Sequence, residues 1–118
     1  VISQRRKNAQ IYMKELDRKF VFFNDEKKNE FNTYHTFVVQ VRFRNKLKKY
    51  LLDKGIATSI HYPVPIHLQP ASKFLGYKIG DFKITETQSQ KILTLPVNEN
   101  LSSNQIKYIC RCVNKFYV

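Results

Sequence analysis

The residues best suited to do chemistry crowd into one stretch. Three of the four prolines and two of the three histidines of the chain fall within residues 55–70. His61, Tyr62, Pro63, His67 and Gln69 lie there, with Pro65 and Pro70 among them. Proline fixes φ and removes a backbone donor, so this segment is stiff once it leaves regular structure. A stiff loop carrying imidazole, phenol and carboxamide groups holds donors and acceptors at fixed places. At a strand end, alternation sends His61 and Tyr62 to opposite sides, so one of them should face solvent or a partner.

Other chemistries lack a pattern. His35, His61 and His67 are dispersed, with no HxxxH or CxxC spacing, so no metal site is expected. Cys110 and Cys112 are two apart, about 200° around a helix, and cannot pair or grip one ion. They are expected to be free thiols, which fits a cytoplasmic protein. Gly55, Gly76 and Gly80 stand alone rather than in a phosphate-cradling loop. No lysine stands out as a Schiff-base former and no nucleophile is signalled. No catalytic residue is therefore expected in these 118 residues.

The elements that would position the loop follow from periodicity. Residues 3–18 read as a helix, with Ala9, Tyr12, Met13 and Leu16 on one stripe. Residues 20–23 are a short β run and residues 24–32 a polar loop. Residues 34–43 form the best strand, with Phe37, Val39, Val41 and Phe43 on the buried face and His35 at its start. His35 is expected to be a structural histidine, its ring hydrogen-bonded at the sheet edge. Asn45 should cap a helix running to Lys54, with Leu47, Tyr50 and Leu51 inward and Gly55 just past its end. Residues 56–62 read as a strand, with Ile56, Thr58, Ile60 and Tyr62 on one face and Ala57, Ser59 and His61 on the other. Residues 63–83 show no period beyond a helical turn near 71–75. Connections of this length are more often functional than decorative. Thr85 or Thr87 opens a helix to Ile92 or Leu93, with Glu86 near its positive end. Residues 95–97 are extended. Ser102 and Gln105 have capping-box spacing and open a last helix with Ile106, Ile109, Cys110, Val113, Phe116 and Tyr117 inward. The expectation is an α+β fold, one small antiparallel sheet packed with helices.

At 118 residues the chain should form one domain, 1–118. No apolar run suits a membrane span. The start has neither an apolar signal centre nor a Met, which suggests a fragment or a processed chain. The net charge of +12 would draw anionic partners. It is scattered, however, and its tight runs, Arg5-Arg6-Lys7 and Lys46 to Lys49, read as solvated helix faces. Specific nucleic-acid binding is thus not the leading expectation. Interleaved aromatics such as Tyr34, Phe37 and Phe43 keep a free-standing basic binding module as the alternative.

Four segments, in order and over essentially the whole chain, resemble the C-terminal small domain of DegT-type nucleotide-sugar aminotransferases. They are Arg5 to Tyr12; Tyr34 to Val41; Leu52 to Ile56 continuing into His61-Tyr62-Pro63-Val64-Pro65-Ile66-His67-Leu68-Gln69-Pro70; and Leu75-Gly76-Tyr77 with Gly80-Asp81-Phe82, then Ile92 to Val97 and the final helix. The third is the most specific. Two departures are visible. Lys83 follows Gly-Asp-Phe where the family often has Pro, and Asn98-Glu99 stand where a Tyr-Pro pair is usual.

The resemblance implies a pyridoxal-phosphate-dependent homodimer that passes an amino group from an amino acid to a keto-sugar nucleotide, in amino-sugar or surface-polysaccharide synthesis. It implies that a large domain, absent here, supplies the catalytic lysine and the cofactor pocket, and that residues 1–18 lead out of that domain. No cofactor is then expected on this piece alone, and the piece alone should be inactive. His61 and Tyr62 become the candidate substrate contacts, with Pro63, His67 and Gln69 supporting the loop. A related pyridoxal-phosphate-dependent sugar dehydratase would share the same domain.

Overall fold

The computed structural model describes residues 1–28 and 30–118. Asn29, in the expected 24–32 loop, lies outside the described residues. Helix α1 spans Ile2–Glu15, strand β1 Val21–Phe22, strand β2 Phe37–Val41 and helix α2 Arg44–Asp53. Two 3₁₀ turns follow, Ile66–Leu68 and Pro70–Leu75, then helix α3 Lys83–Ser89, strand β3 Ile92–Leu95 and helix α4 Ser103–Phe116. The sheet is antiparallel with order β1-β2-β3, so β2 is central. This is the α+β arrangement that the periodicity predicts.

The core lies between the sheet and the helices. Phe37, Val39 and Val41 are buried while Val38 is exposed, the alternation expected of a sheet with one covered face. Leu93 and Leu95 of β3 join them. Leu47 and Leu51 of α2 are fully buried, each contributing about 1.5–3 kcal/mol of apolar burial. Helix α4 packs against both α1 and α2. Its buried stripe is therefore wide enough to cover Cys110 and Cys112 together, and both are free thiols. Ser102 Oγ accepts from the Gln105 amide at 3.2 Å and Gln105 Oε1 accepts from the Ser102 amide at 2.8 Å, completing the expected capping box.

Helix α2 ends as expected. Gly55 has φ +83°. Its amide donates to the Leu52 carbonyl and that of Ile56 to the Leu51 carbonyl, at 2.9 and 2.8 Å, which is a Schellman closure. The start of α2 is different. β2 stops at Val41, and Phe43 turns into the left-handed region (φ +56°) as the N-cap, 65% exposed rather than buried. That turn lets Arg44 enter the interior, where its guanidinium donates to the carbonyls of Ser89 at 2.8 Å and Ile92 at 2.9 Å. Asn45 thus sits inside the helix, its Oδ1 accepting from Arg44 Nε, instead of capping it. Burial lowers the pKa of Arg44.

Three further expectations are corrected. Residues 56–62 are extended but not a strand, and among the described residues their backbone pairs with the sheet at a single bridge, between Ser59 and Thr94. The third strand is β3 instead. The helix expected to reach Ile92 or Leu93 ends at Ser89, because those residues pair with Gln40 and Val39 of β2. A four-residue apolar run suits either element, and only the partner strand decides between them. Of the solvated end expected at Arg5-Arg6-Lys7, Lys7 is exposed as expected, but Arg5 and Arg6 form a clasp. Arg6 forms a two-pronged pair with Glu26 at 2.7 and 3.0 Å, and Arg5 meets Glu99 at 2.9 Å and the His35 carbonyl at 3.0 Å. His35 itself is exposed, and among the described residues its ring has no hydrogen-bond partner. Asn98 and Glu99, the departure from the family pattern, are both used. The Asn98 carbonyl accepts from the fully buried Asn8 at 3.0 Å, and Glu99 is the partner of Arg5.

Candidate functional site

Residues 56–62 run along the free edge of β3. Helix α2 steadies their start, with Lys48 Nζ donating to the Thr58 carbonyl at 2.5 Å. Ser59 and Thr94 exchange both backbone hydrogen bonds, at 3.2 and 2.7 Å. In extended backbone, residues two apart share a side. His61 therefore lies on the same side as Ser59, within reach of the Thr94 side chain, and His61 Nδ1 is 2.9 Å from Thr94 Oγ1. The alternation expected of 56–62 holds for Ile56, Thr58 and Ile60, which turn inward, and ends at Tyr62, which is 65% exposed. The His61 and Tyr62 rings meet edge to face, with centroids 5.5 Å apart. These two residues form an anchored rim above the sheet face that carries no helix.

Pro63 begins the loop proper. Gln69 Nε2 donates to the Val64 carbonyl at 3.1 Å, closing the proline segment on itself. His67 turns away from His61. It is buried, its Nε2 3.1 Å from Glu86 Oε2, with the Phe82 ring 4.8 Å away. The two loop histidines therefore serve different elements, β3 and α3. Glu86 gathers the second half of the connection by accepting from the amides of Gly80 at 2.9 Å and Phe82 at 3.1 Å. Those bonds, first that of Gly80, and the His67 ring hold its carboxyl below the usual carboxylate range against the opposing effect of burial. Gly80 has φ +97°, a conformation that a side chain would strain. Beside His67, Ile66, Leu75, Tyr77 and Phe82 line an open, mostly apolar hollow of about 320 Å³.

Thr94 and Arg44 carry no signal in the sequence. Thr94 becomes important only because β3 forms and Ser59 pairs with it. Arg44 looks like one of many surface cations until Phe43 turns it inward. Glu86 was legible only as an acid near a helix start.

Among the described residues no group of three or more His, Cys, Asp or Glu side chains could hold a metal ion. Nor do the residues present frame a pyridoxal phosphate site. Every described lysine is exposed except Lys48, which is engaged with Thr58, so none sits in the apolar pocket that readies an amine for Schiff-base chemistry. Among the described residues no helix is long and apolar enough to cross a membrane.

The chain belongs to the DegT/DnrJ/EryC1/StrS aminotransferase family, whose pattern matches residues 1–114. It is similar to the pleiotropic regulatory protein of Geobacillus stearothermophilus, 32% identical over 117 residues, which cover 97% of this chain and 32% of that protein. It is also similar to GDP-perosamine synthase of Escherichia coli O157:H7, 33% identical over 120 residues, covering 98% of this chain and 31% of that protein. The crystal structure of S. venezuelae DesV superposes with a TM-score of 0.91 at 26% identity, over 98% of this chain and 31% of that one. The chain thus spans about a third of the length of the curated relatives it matches.

Proposed function

We propose that these residues are the C-terminal small domain of a pyridoxal-phosphate-dependent aminotransferase that moves an amino group from an amino acid to a keto-sugar nucleotide. The observation that carries the reading is the anchored rim. His61 and Tyr62 project from backbone tied to β3, with His61 Nε2 and the Tyr62 hydroxyl unpartnered among the described residues, in a chain of an aminotransferase family. In this reading the cofactor and its lysine belong to a large domain outside these 118 residues. That group supplies the electron sink for amino transfer. His61 and Tyr62 donate to sugar or phosphate oxygens, and the 63–70 segment, through Gln69 and His67, keeps the rim in place.

The reading includes a homodimer. Ile66, Phe74, Ile79 and Ile84 expose apolar surface along the 63–84 connection, as a subunit contact would require. A basic binding module is less well supported. Arg5, Arg6, Arg18 and Arg44 are committed to Glu99, Glu26, Asp25 and backbone carbonyls within the chain, so four of the six arginines are engaged internally.

The test is kinetic, on the protein expressed from its complete reading frame. His61→Ala and Tyr62→Phe should weaken use of the keto-sugar nucleotide by about tenfold to a hundredfold, as the loss of a hydrogen bond to a charged group does. The amino-acid half of the reaction should be unchanged. Equal loss in both halves, or in neither, would refute the assignment of the rim. The 118 residues alone should neither bind pyridoxal phosphate nor turn over, and a visible absorbance band on mixing them would overturn that part.

A further inference from the structure

Cations that look scattered along the sequence are gathered by the fold. We infer that the outer surface formed by α2, α4 and the chain entering β1 binds single-stranded nucleic acid, with bases in two ring-walled hollows and phosphates over the cations around them. This is an added activity of that surface and stands apart from the rim at His61 and Tyr62. One hollow, of about 420 Å³, is lined by Lys19, Phe20, Arg42, Phe43 and Tyr117. The second, of about 290 Å³, is lined by Tyr50, Lys54, Tyr108, Arg111, Cys112 and Lys115. Ring contacts connect the two. Phe20 stacks on Tyr117 at 5.3 Å, Tyr117 meets Phe116 at 4.9 Å, and Phe116 meets Tyr50 at 5.3 Å.

Every residue lining the hollows except Cys112 is basic or aromatic, and none is acidic. Asp17 and Asp53 are close by in sequence but line neither. Lys19, Arg42, Lys46, Lys54, Arg111 and Lys115 are all exposed, and among the described residues none has an ion pair or a side-chain hydrogen bond. Arg42 and Arg111 are the two arginines that the internal contacts leave over. Uncompensated positive charge calls for an anion, and the rings decide which anion. The Tyr117 hydroxyl donates to the Arg42 carbonyl at 2.6 Å and the Tyr108 hydroxyl to the Lys54 carbonyl at 3.0 Å, so both rings are held in place. Phe43 is 65% exposed, with Lys46 Nζ 5.7 Å from its ring centre. Fixed rings stack bases of any identity while neighbouring cations follow the phosphates. In a duplex the bases already stack on each other, so the single strand is the form that fits. Asp and Glu side chains bring no flat ring to these hollows, and a bilayer presents a flat surface to concave sites. From Phe43 to Lys54 the strip follows α2 for about 16 Å, which suits a run of nucleotides better than one.

The test is fluorescence polarisation of the protein expressed from its complete reading frame with a labelled oligothymidylate of about twelve nucleotides. The dissociation constant should be about 1–100 µM at about 0.15 M salt, and the logarithm of affinity should fall with that of salt at a slope of about −3 to −4, as about four to six phosphate contacts give. Arg111→Gln with Lys115→Gln should flatten that slope by about 1.4. Phe43→Asn, whose new side chain tolerates the left-handed turn, should weaken binding about fivefold to a hundredfold. Lys73→Gln with Lys83→Gln makes the same change of charge at exposed positions elsewhere and should shift affinity less than about twofold. An effect of that pair equal to the effect of the Arg111 and Lys115 pair would show that net charge alone acts, and would overturn the proposal. So would unchanged affinity in Phe43→Asn, tighter binding of a duplex of the same length, or no binding of the oligonucleotide at about 0.05 M salt. Equal affinity for polyglutamate, or for vesicles of phosphatidylcholine and phosphatidylserine, would assign the surface to an acidic protein or a membrane instead.

Discussion

Replacing Arg44 with methionine isolates the tie that feeds β3. Methionine approximates the aliphatic stem of arginine, so the packing of that stem is largely kept while the guanidinium is lost. Two carbonyls, Ser89 at 2.8 Å and Ile92 at 2.9 Å, then lose a charged donor. Each such bond contributes about 1.5–3 kcal/mol. Part of that is returned because no cation has to leave water, and burial is the one effect that lowers the pKa of Arg44. The net loss works out at about 2–4 kcal/mol. With a urea slope of about 1–3 kcal/mol per molar, the unfolding midpoint should fall by about 1–2 M at constant slope. Circular dichroism of the two chains in a urea series measures it, with Lys49→Met on the exposed side of α2 as the control that should not move. A fall below about 0.3 M would show that the buried guanidinium is a passenger and that β3 pairs without it.

The remaining expectations concern the core and the loop. Tyr12→Phe keeps the ring stacked 4.9 Å from Phe37 but leaves the Pro96 carbonyl without its donor at 2.5 Å, so it should cost about 1–2 kcal/mol in the same urea assay, and an unchanged midpoint would show that the hydroxyl bond contributes nothing net. The pKa of Glu86 is depressed by folding, so its contribution to stability is present above the ordinary value of 4.5 and is lost as pH falls below that through the depressed value. Glu86→Gln should therefore unfold more readily than wild type at neutral pH and approach it in acid. Parallel stability curves for the two across that range would remove Glu86 as the clasp of the 80–86 turn.

Much of this molecule is written locally. The stripe of α1, the β2 alternation at Phe37, Val39 and Val41, the Gly55 closure and the Ser102–Gln105 capping box each depend on residues within one or two turns of each other, so periodicity and capping chemistry reveal them. The chemistry-bearing stretch is legible for the same reason, because prolines and histidines so close together stand out whatever surrounds them. Tertiary structure decided the rest. Ile92 to Leu95 could be helix or strand until β2 offered its edge. Phe43 left the buried face because the chain had to turn and send Arg44 inward. Residues 56–62 remained a single bridge, which brought His61 to Thr94 and sent His67 to Glu86. Hydrogen bonds between residues 33 and 19 positions apart leave no period in a sequence, since their partners are chosen by packing rather than spacing. The sequence by itself determined which side chains are available for chemistry, and the fold determined which of them are held, by what, and facing where.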